Sequence, residues 1–262
     1  MNILEEIKAT KLKEVQRKKE LYPIKLLEQS IFYHSTPVSL SEYLKSPNRS
    51  GIIAEFKHKS PSKGYINQYA DVEETTISYM QAGASALSIL TDEKFFGGSS
   101  KDLEIARKFN FCPILRKDFI VDEYQVYETK SIGADAILLI ARILSPKQVA
   151  DFSKIASKIG LEVLLEVHTD DEVKNYLSDD INLVGINNRN LDTFDVNIEN
   201  SVRIAELIPK NITKIAESGI NSIETIHRLK ENGFSGFLIG EYFMRNSHPG
   251  EVCKELIKQL KS

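Results

Sequence analysis

The sequence predicts an α/β protein, a (β/α)8 TIM barrel that carries an N-terminal helical extension. Eight short apolar runs, each followed by a helix-like stretch, predict this fold. The runs start roughly 21 to 35 residues apart, the length of one strand–helix unit. The length of 262 residues also suits one barrel, since about 250 is typical. We therefore expect a single domain over residues 1–262, with the extension at 1–48 and the barrel at 49–262.

The extension is predicted to be helical. Residues from about 2 to 20 form the first helix, with Asn2 as its N-cap, and Pro23 ends it. Its apolar stripe is broken and consists of Ile3, Ile7, Leu12 and Val15. A short helix over residues 39–44 follows and precedes Pro47.

The barrel units follow in order. The apolar runs are Gly51–Phe56, Ala86–Leu90, Pro113–Leu115, Ala136–Ile140, Glu162–Leu165, Leu183–Ile186, Thr213–Ala216 and Gly236–Ile239. The helix-like segments are Val72–Ala82, Ser100–Lys108, Asp122–Ile132, Pro146–Ile159, Asp171–Leu177, Asn200–Leu207, Ser222–Asn232 and Glu251–Leu260. Four of them end at a glycine suited to a C-cap: Gly83, Gly133, Gly160 and Gly233. A doubly wound open sheet is the alternative, but no GxGxxG follows the first strand.

Composition narrows the class of function. The formal charge of −3 gives no overall attraction to nucleic acid or to an anionic membrane, so we expect neither partner. The two cysteines, Cys112 and Cys253, are far apart, which argues against a disulfide framework and a zinc site. The N-terminus lacks the apolar core of a signal peptide, and no run reaches the roughly 20 apolar residues of a membrane span. We expect a cytoplasmic protein.

The first strand ends in an unusual pair of charges. Glu55 and Lys57 are two residues apart, so a strand places both side chains on one face. A surface ion pair at a fraying strand end is the simplest explanation of the pair alone. The polar turn that follows, from Ser60 to Gly64, favours a site for an anionic ligand instead.

Chemically reactive side chains also follow the other strands. In a (β/α)8 barrel the active site lies at the carboxyl ends of the strands. The residues found there include Asp92, Lys117, Glu166, His168, Asn187, Arg189, Glu217, Ser218 and Glu241. The opposite strand ends carry mostly small or neutral residues, and this asymmetry indicates an enzyme.

Strand parity indicates which of these side chains meet. Residues two apart in a strand share a face. The sets that share a face are Ile53, Glu55 and Lys57; Leu115 and Lys117; Glu162, Leu164 and Glu166; and Gly185, Asn187 and Arg189. If these faces line the barrel mouth, two lysines and two or three carboxylates converge and supply general acids and bases. A lysine near other cations loses its proton more easily, so we expect Lys57 and Lys117 to donate protons near neutral pH.

The last two strands predict a phosphate site. Ser218-Gly219 follows the seventh strand and Gly240 the eighth, where barrels often bind phosphate through backbone N–H groups. A glycine after a strand is often only a turn, but glycines at both positions are more specific.

The sequence resembles the indole-3-glycerol phosphate synthase family over nearly its whole length. The motifs are AEFKHKSPSKG at 54–64, TDEKFFGGS at 91–99, PILRKDFIVDEYQVYE at 113–128, GADAILLIARIL at 133–144, LLEVHT at 164–169, GINNRNL at 185–191, IAESGI at 215–220 and LIGE at 238–241. Eight motifs in this order are highly specific. The resemblance implies conversion of 1-(o-carboxyphenylamino)-1-deoxyribulose 5-phosphate into indole-3-glycerol phosphate in tryptophan biosynthesis, with loss of carbon dioxide and water.

The resemblance also implies roles for individual residues. Lys117 would be the general acid of ring closure, and Lys57 would hold the substrate carboxylate. Glu166 would be the general base, with Glu55 and Asn187 acting on the departing hydroxyl; which of Lys57, Glu55 and Glu166 serves dehydration stays open. The substrate-binding residues that it implies, besides catalytic Ser218, are Lys59, Ser60, Phe96, Arg189, Glu217, Gly219, Gly240 and Glu241.

The resemblance implies no metal and no organic cofactor, and we expect a monomer without a fused partner domain that acts on a phosphorylated small molecule. Another phosphate-sugar barrel enzyme, a lyase, an aldolase or an isomerase, is the alternative function. An aldolase differs because it forms a Schiff base that borohydride traps at a lysine. A barrel that only binds a ligand would show affinity without turnover, which the crowded charges argue against.

Overall fold

The computed structural model describes residues 3–189 and 195–261, so Asn2, the predicted N-cap, lies outside it. Eight parallel strands close into a barrel in the order β1-β8-β7-β6-β5-β4-β3-β2. The strands are β1 Ile52–Phe56, β2 Ala86–Leu90, β3 Ile114–Lys117, β4 Ala136–Ile140, β5 Glu162–Val167, β6 Leu183–Asn187, β7 Thr213–Glu217 and β8 Gly236–Ile239. The predicted (β/α)8 barrel with an N-terminal helical extension is confirmed.

The helices alternate with the strands around the barrel. They are α1 Ile3–Leu21, α2 Ile24–Leu27, α3 Leu40–Lys45, α4 Val72–Ala82, α5 Glu93–Phe96, α6 Ser100–Phe109, α7 Tyr124–Ser131, α8 Pro146–Lys158, α9 Asp170–Tyr176, α10 Ile198–Ala205, α11 Ile223–Glu231, α12 Glu241–Met244 and α13 Pro249–Leu260. Every predicted helix is present within about two residues, while the one-turn helices α2, α5 and α12 were not predicted. A two-stranded hairpin, Lys59–Ser60 with Gly64–Tyr65, also forms in the polar turn after β1.

Local signals explain where the helices begin and end. Ser145 and Thr169 open α8 and α9 with capping boxes, in which side chain and backbone satisfy each other's hydrogen bonds. The glycines predicted as C-caps all have positive φ, between 82° and 96°, as helix ends in the left-handed conformation require.

The two faces of the strands form two separate apolar layers. Ile53, Leu115 and Leu164 belong to the layer inside the barrel. Ile52 and Phe56, on the other face of β1, belong to the layer between the strands and the helices. Burial of each such side chain stabilises the fold by about 1.5–3 kcal/mol. A shift of one residue would move these side chains to the opposite face, so the alternation fixes the register of strand pairing. Because Glu55, Lys117 and Glu166 have the inner parity, the predicted sharing of a face is confirmed.

The amino-terminal end of the barrel is covered by α3. Glu162 has the inner parity but starts β5, and its carboxylate accepts hydrogen bonds from the Ser39 hydroxyl (2.8 Å), the Ser41 hydroxyl (2.6 Å) and the Ser41 N–H (2.9 Å). Glu162 therefore anchors α3, and it is far along the strand from Glu166.

The first helix buries a different stripe from the predicted one. Leu12 was placed on the buried face, but it is 45% exposed, whereas Lys11 is only 4% exposed. The buried positions Leu4, Ile7, Lys11 and Val15 follow the helical period. Two carboxylates explain the buried lysine: its ammonium lies 2.8 Å from Asp92 and 3.1 Å from Asp118. The contacts of Lys11 join α1 to the carboxyl ends of β2 and β3.

None of the helices in the described part of the chain is long and apolar enough to cross a membrane.

Candidate active site

A cavity of about 420 Å³ opens at the carboxyl ends of the strands. Of the residues given a catalytic or substrate-binding role by the resemblance, all except Lys59 line it. They are Glu55, Lys57, Ser60, Phe96, Lys117, Glu166, Asn187, Arg189, Glu217, Ser218, Gly219, Gly240 and Glu241. Seven of the eight strands, or the loops directly after them, thus contribute at least one predicted residue.

Lys117 lies at the centre of the charged residues. Its Nζ donates a hydrogen bond to Glu166 Oε2 at 3.2 Å and forms an ion pair with Glu217 Oε2 at 3.2 Å. The three side chains come from β3, β5 and β7, whose inner faces meet inside the barrel. The two glutamates are buried and Lys117 is largely buried, so their charges act on one another through little water.

The expected lowering of the lysine pKa is wrong for Lys117. Burial alone would lower the pKa of Lys117, but the carboxylates of Glu217, Glu166 and Glu55 outweigh burial and raise it. The neighbours that decide the shift are anions, and the sequence pattern had emphasised the cations. Lys117 is therefore firmly an ammonium ion at neutral pH.

The two carboxylates beside Lys117 differ in proton affinity. Burial would raise the pKa of Glu166, but Lys117 and hydrogen bonds from Lys117 and Asn187 hold it below its ordinary value. Burial raises the pKa of Glu217 to about 7, because Glu166 and Glu55 add to the effect and Lys117 only partly opposes it. Glu166 is thus a carboxylate at neutral pH, while Glu217 carries a proton in part of the molecules.

Glu55 and Lys57 form the second charged pair. Lys57 Nζ lies 2.6 Å from Glu55 Oε1, and both side chains are largely buried. A Cβ at position 240 would overlap the Glu55 carboxylate, so Gly240 leaves the space that this carboxylate fills. The missing side chain at Gly240 therefore has a structural reason besides any contact with phosphate.

Asn187 and the turn after β7 complete the polar wall. Asn187 Nδ2 donates to Glu166 Oε1 at 3.2 Å, which orients the carboxylate between Asn187 and Lys117. Ser218 and Gly219 both have positive φ, at 67° and 71°, and Ser218 is the one non-glycine residue with positive φ among those described. Such a conformation is costly for serine, and Asn188 supports it by donating Nδ2 to the Ser218 carbonyl oxygen at 3.0 Å.

A separate charged group lies by the last strand. Arg189 Nη2 forms an ion pair with Glu241 at 3.3 Å, between the loop after β6 and the start of α12. Arg245, at the end of α12, also lines the cavity and lies over the Tyr242 ring at 5.0 Å. Among the described residues Arg245 forms no ion pair, whereas Lys57, Lys117 and Arg189 each do. Arg245 was not among the predicted site residues, because a single arginine in a helix gives no signal of its own.

Lys59 lies apart from this group. Its Nζ donates to the Lys94 carbonyl oxygen at 2.7 Å, and the residue does not line the cavity. Ser60 does line it, together with Pro61 and Ser62. The contribution of Lys59 to phosphate binding stays a prediction.

An apolar wall faces the charged residues, and the sequence analysis found only one part of it. Phe96 and Phe119 lie with ring centroids 5.8 Å apart, and Ile3, Leu4 and Ile7 of α1 also line the cavity. The apolar spacing in α1 predicts that one face of the helix is buried. It does not show that this face lines a cavity. This wall is suited to an aromatic ring.

His168 follows the same strand as Glu166 but does not line the cavity. Its Nε2 is 3.7 Å from Glu166 Oε1, beyond hydrogen-bonding distance. Burial lowers the pKa of His168 despite Glu166 and Glu172. At neutral pH the imidazole is thus uncharged.

The whole site lies within a region that matches one protein family. A family model described as indole-3-glycerol phosphate synthase matches residues 4–256. A protein of Bacteroides thetaiotaomicron named indole-3-glycerol phosphate synthase is 49% identical over 259 residues, 99% of each chain. One of Salinibacter ruber with the same name is 39% identical and covers 98% of this chain and 95% of its own.

Solved structures with low sequence identity share the fold. A thiamine phosphate pyrophosphorylase from Pyrococcus furiosus superposes with a TM-score of 0.61 at 16% identity, covering 85% of this chain and 98% of its own. This likeness shows the barrel alone.

Proposed function

The chain belongs to the indole-3-glycerol phosphate synthase family, and on that premise we propose how its residues divide the work of the reaction. The enzyme closes the indole ring of 1-(o-carboxyphenylamino)-1-deoxyribulose 5-phosphate and releases carbon dioxide and water. The observation that carries the assignment of roles is the position of Lys117, between two carboxylates and inside a cavity with an apolar and a polar wall.

Lys117 is the acid of ring closure. The ring carbon attacks the ribulose carbonyl carbon, and negative charge develops on the carbonyl oxygen. A neighbouring ammonium stabilises this charge and protonates the oxygen as the bond forms. The raised pKa of Lys117 does not prevent this step, because an alkoxide is a stronger base than an amine.

Lys57 holds the substrate carboxylate before it leaves as carbon dioxide. Its ammonium is already paired with Glu55 in the free enzyme, 2.6 Å away. The substrate carboxylate would share that ammonium, and after decarboxylation the pair is free to act on the departing hydroxyl. Decarboxylation needs no further electron acceptor, because the cationic ring intermediate takes up the electron pair.

Glu166 is the base of the dehydration step. It removes a proton from the newly closed five-membered ring, which makes the indole aromatic. Its lowered pKa keeps it ionised at neutral pH, as a base requires. Asn187 donates to one carboxylate oxygen and Lys117 to the other, so the group has a fixed orientation toward the cavity. A fixed orientation of the carboxylate lowers the activation barrier, because misplacement of a reacting group by about 1 Å can slow the reaction by about 10²-fold.

The aromatic ring and the phosphate bind at different parts of the cavity. The apolar wall of Phe96, Phe119 and the α1 side chains takes the ring. The phosphate binds near Gly219 and Gly240, at the carboxyl ends of β7 and β8, with Ser60 and Arg245 nearby. Arg245 is available for this role because it has no ion pair among the described residues.

Incubation of the enzyme with the carboxyphenylamino substrate tests the function. The chain contains no tryptophan, so indole fluorescence should rise on a dark background. Borohydride added during turnover should leave the enzyme unlabelled, since the proposed reaction passes through no Schiff base. No rise in fluorescence, or a trapped lysine adduct, would contradict the proposal. A monomeric state and a cytoplasmic location stay predictions.

A further inference from the structure

Each turnover of the proposed reaction takes up one proton, and the site must supply it; this inference therefore rests on the proposed function. The substrate enters with a carboxylate, and that group leaves as neutral carbon dioxide. The remaining steps release neutral water and leave an uncharged indole ring, so the charge balances only if one proton enters. Lys117 gives a proton to the carbonyl oxygen during ring closure and must recover one before the next cycle.

The candidate donor lies beside Lys117. Glu217 is 2% exposed, and its Oε2 is 3.2 Å from Lys117 Nζ. Its other oxygen, Oε1, is buried and has no hydrogen-bond partner among the described residues. An ionised carboxylate with one unpartnered buried oxygen is unfavourable, and a proton on that oxygen relieves it.

The fold provides space for this unpartnered oxygen. A Cβ at position 185 would overlap Glu217 Oε1, so a glycine in β6 is needed for the carboxyl group to sit where it does. Burial favours the protonated form of Glu217; among the charges nearby, Glu166 and Glu55 add to this effect and Lys117 opposes it. The described carboxylates nearby are Glu166 on β5 and Glu55 on β1, and the described cations that line the same cavity are Lys117, Lys57, Arg189 and Arg245.

We propose that Glu217 holds a proton in reserve and returns it to Lys117 after ring closure. With the proton on Oε1, Oε2 keeps its 3.2 Å contact with the Lys117 ammonium. When the Lys117 ammonium has given its proton to the alkoxide, its neutral Nζ has a free electron pair. Rotation of the carboxyl group then brings the Oε1 proton to that electron pair, and Glu217 becomes a carboxylate. Glu217 regains a proton from solvent before the next cycle, which accounts for the proton taken up.

This role differs from the substrate contact that the sequence analysis assigned to Glu217. Glu217 acts through Lys117, so its loss should slow the recovery of the enzyme more than the first reaction. Only protonated Glu217 can return a proton to Lys117, so kcat should fall as the pH rises. With a pKa of about 7, Glu217 gains its proton as the pH falls below neutrality and loses it as the pH rises above neutrality.

Glu217→Gln tests the proposal because it keeps the size of the side chain and removes its acidic proton. We expect the steady-state kcat at pH 7 to fall by at least about 10-fold, less than the roughly 10²–10⁴-fold of direct general acid–base catalysis, because solvent can also return the proton to Lys117. The first turnover, measured with enzyme in excess, should stay within about threefold, because Lys117 is still loaded. The wild-type enzyme should lose kcat as the pH rises above neutrality, and this decline should be absent in Glu217→Gln.

Two further variants sharpen the test. Glu217→Asp keeps a titrating carboxyl group and should keep the alkaline decline at a lower rate. Glu199→Gln changes a carboxylate on the surface, where Glu199 pairs with Arg228, and should reproduce the wild-type profile. Thermal melts check that each variant is folded.

An equal slowing of the first and later turnovers would overturn the proposal, because Glu217 would then only position Lys117. An unchanged kcat, or an alkaline decline that persists in Glu217→Gln, would also overturn it. Failure of the wild-type enzyme to make the product would contradict the proposed function instead, so the two failures are distinct.

Discussion

At the residue scale, the tasks proposed for Lys117 and Glu166 are opposite, although the two side chains form an ion pair. The lysine is an ammonium ion and the glutamate a carboxylate, and each stabilises the charged form of the other. Once Lys117 has recovered its proton after ring closure, the ion pair again keeps Glu166 ionised for the later base step.

Replacement of the base should stop the later step. Glu166→Gln keeps the volume and the contact with Asn187 but cannot accept a proton. We expect kcat to fall by at least about 10²-fold while the protein stays folded, as measured by steady-state fluorescence and a thermal melt. A kcat within a few-fold of the wild type would make Glu166 a positioning residue.

The proposed phosphate end of the cavity allows a matched comparison of two arginines. Arg245 lies over Tyr242 at the cavity, while Arg49 lies over Tyr43 at 3.6 Å and does not line the cavity. Arg245→Gln should raise KM by about 10-fold or more, since a hydrogen bond to a charged group is worth about 1.5–3 kcal/mol, and should weaken inhibition by inorganic phosphate.

Arg49→Gln is the control and should leave both constants unchanged. Gly219→Asp is a poorer test of the same site, because Gly219 has positive φ and a Cβ there would overlap Val196. Equal constants for Arg245→Gln and the wild type would exclude Arg245 from the phosphate site.

At the element scale, α1 belongs to the active site because Lys11 ties it to the barrel. Asp92 binds Lys11 and also caps α5 by accepting from the N–H of Phe95 at 2.7 Å. Asp118 binds Lys11 and accepts from the N–H of Phe119 at 2.8 Å. The same two carboxylates thus hold α1 and the two segments that present Phe96 and Phe119.

Loss of this lysine should affect both stability and substrate binding. Lys11→Met leaves two buried carboxylates without their shared cation, and breaking a buried ion pair in this way costs about 3–5 kcal/mol. We expect a lower Tm and a raised KM, because the apolar wall loses its support. The exposed neighbour gives the control: Lys13→Met should leave Tm and KM unchanged.

Acid should weaken the same attachment. Arg116 and Lys11 outweigh burial and lower the pKa of Asp118 from 3.8 to about 2. Its contribution is therefore complete above about pH 4 and disappears as the pH falls toward 2, an effect of about 2 kcal/mol. Urea unfolding at pH 5 and pH 3 should show a smaller loss of stability for Asp118→Asn than for the wild type. Equal losses in the two proteins would contradict the assignment.

At the scale of the whole molecule, the sequence predicts the barrel and most of the candidate site because both follow from regular repeats. The strand–helix unit recurs along the chain, and side chains alternate between the two faces of each strand. Strand parity identified Glu55, Lys117 and Glu166 as inward-facing, and all three line the cavity. Side-chain partners are not periodic. The sequence could not show that Lys11 replaces Leu12 on the buried face, because Asp92 and Asp118 are distant in the chain. The raised pKa of Lys117 escaped prediction for the same reason.

Single-turnover kinetics of Lys117→Arg and Lys117→Met test whether Lys117 donates the proton of ring closure. Both variants should bind substrate and melt as folded proteins, yet lose about 10²–10⁴-fold in the rate of the first turnover, or about 3–5 kcal/mol of barrier. Arginine keeps the charge but does not readily give up its proton. A near-normal first turnover by Lys117→Arg would show that positive charge alone suffices and would contradict the account.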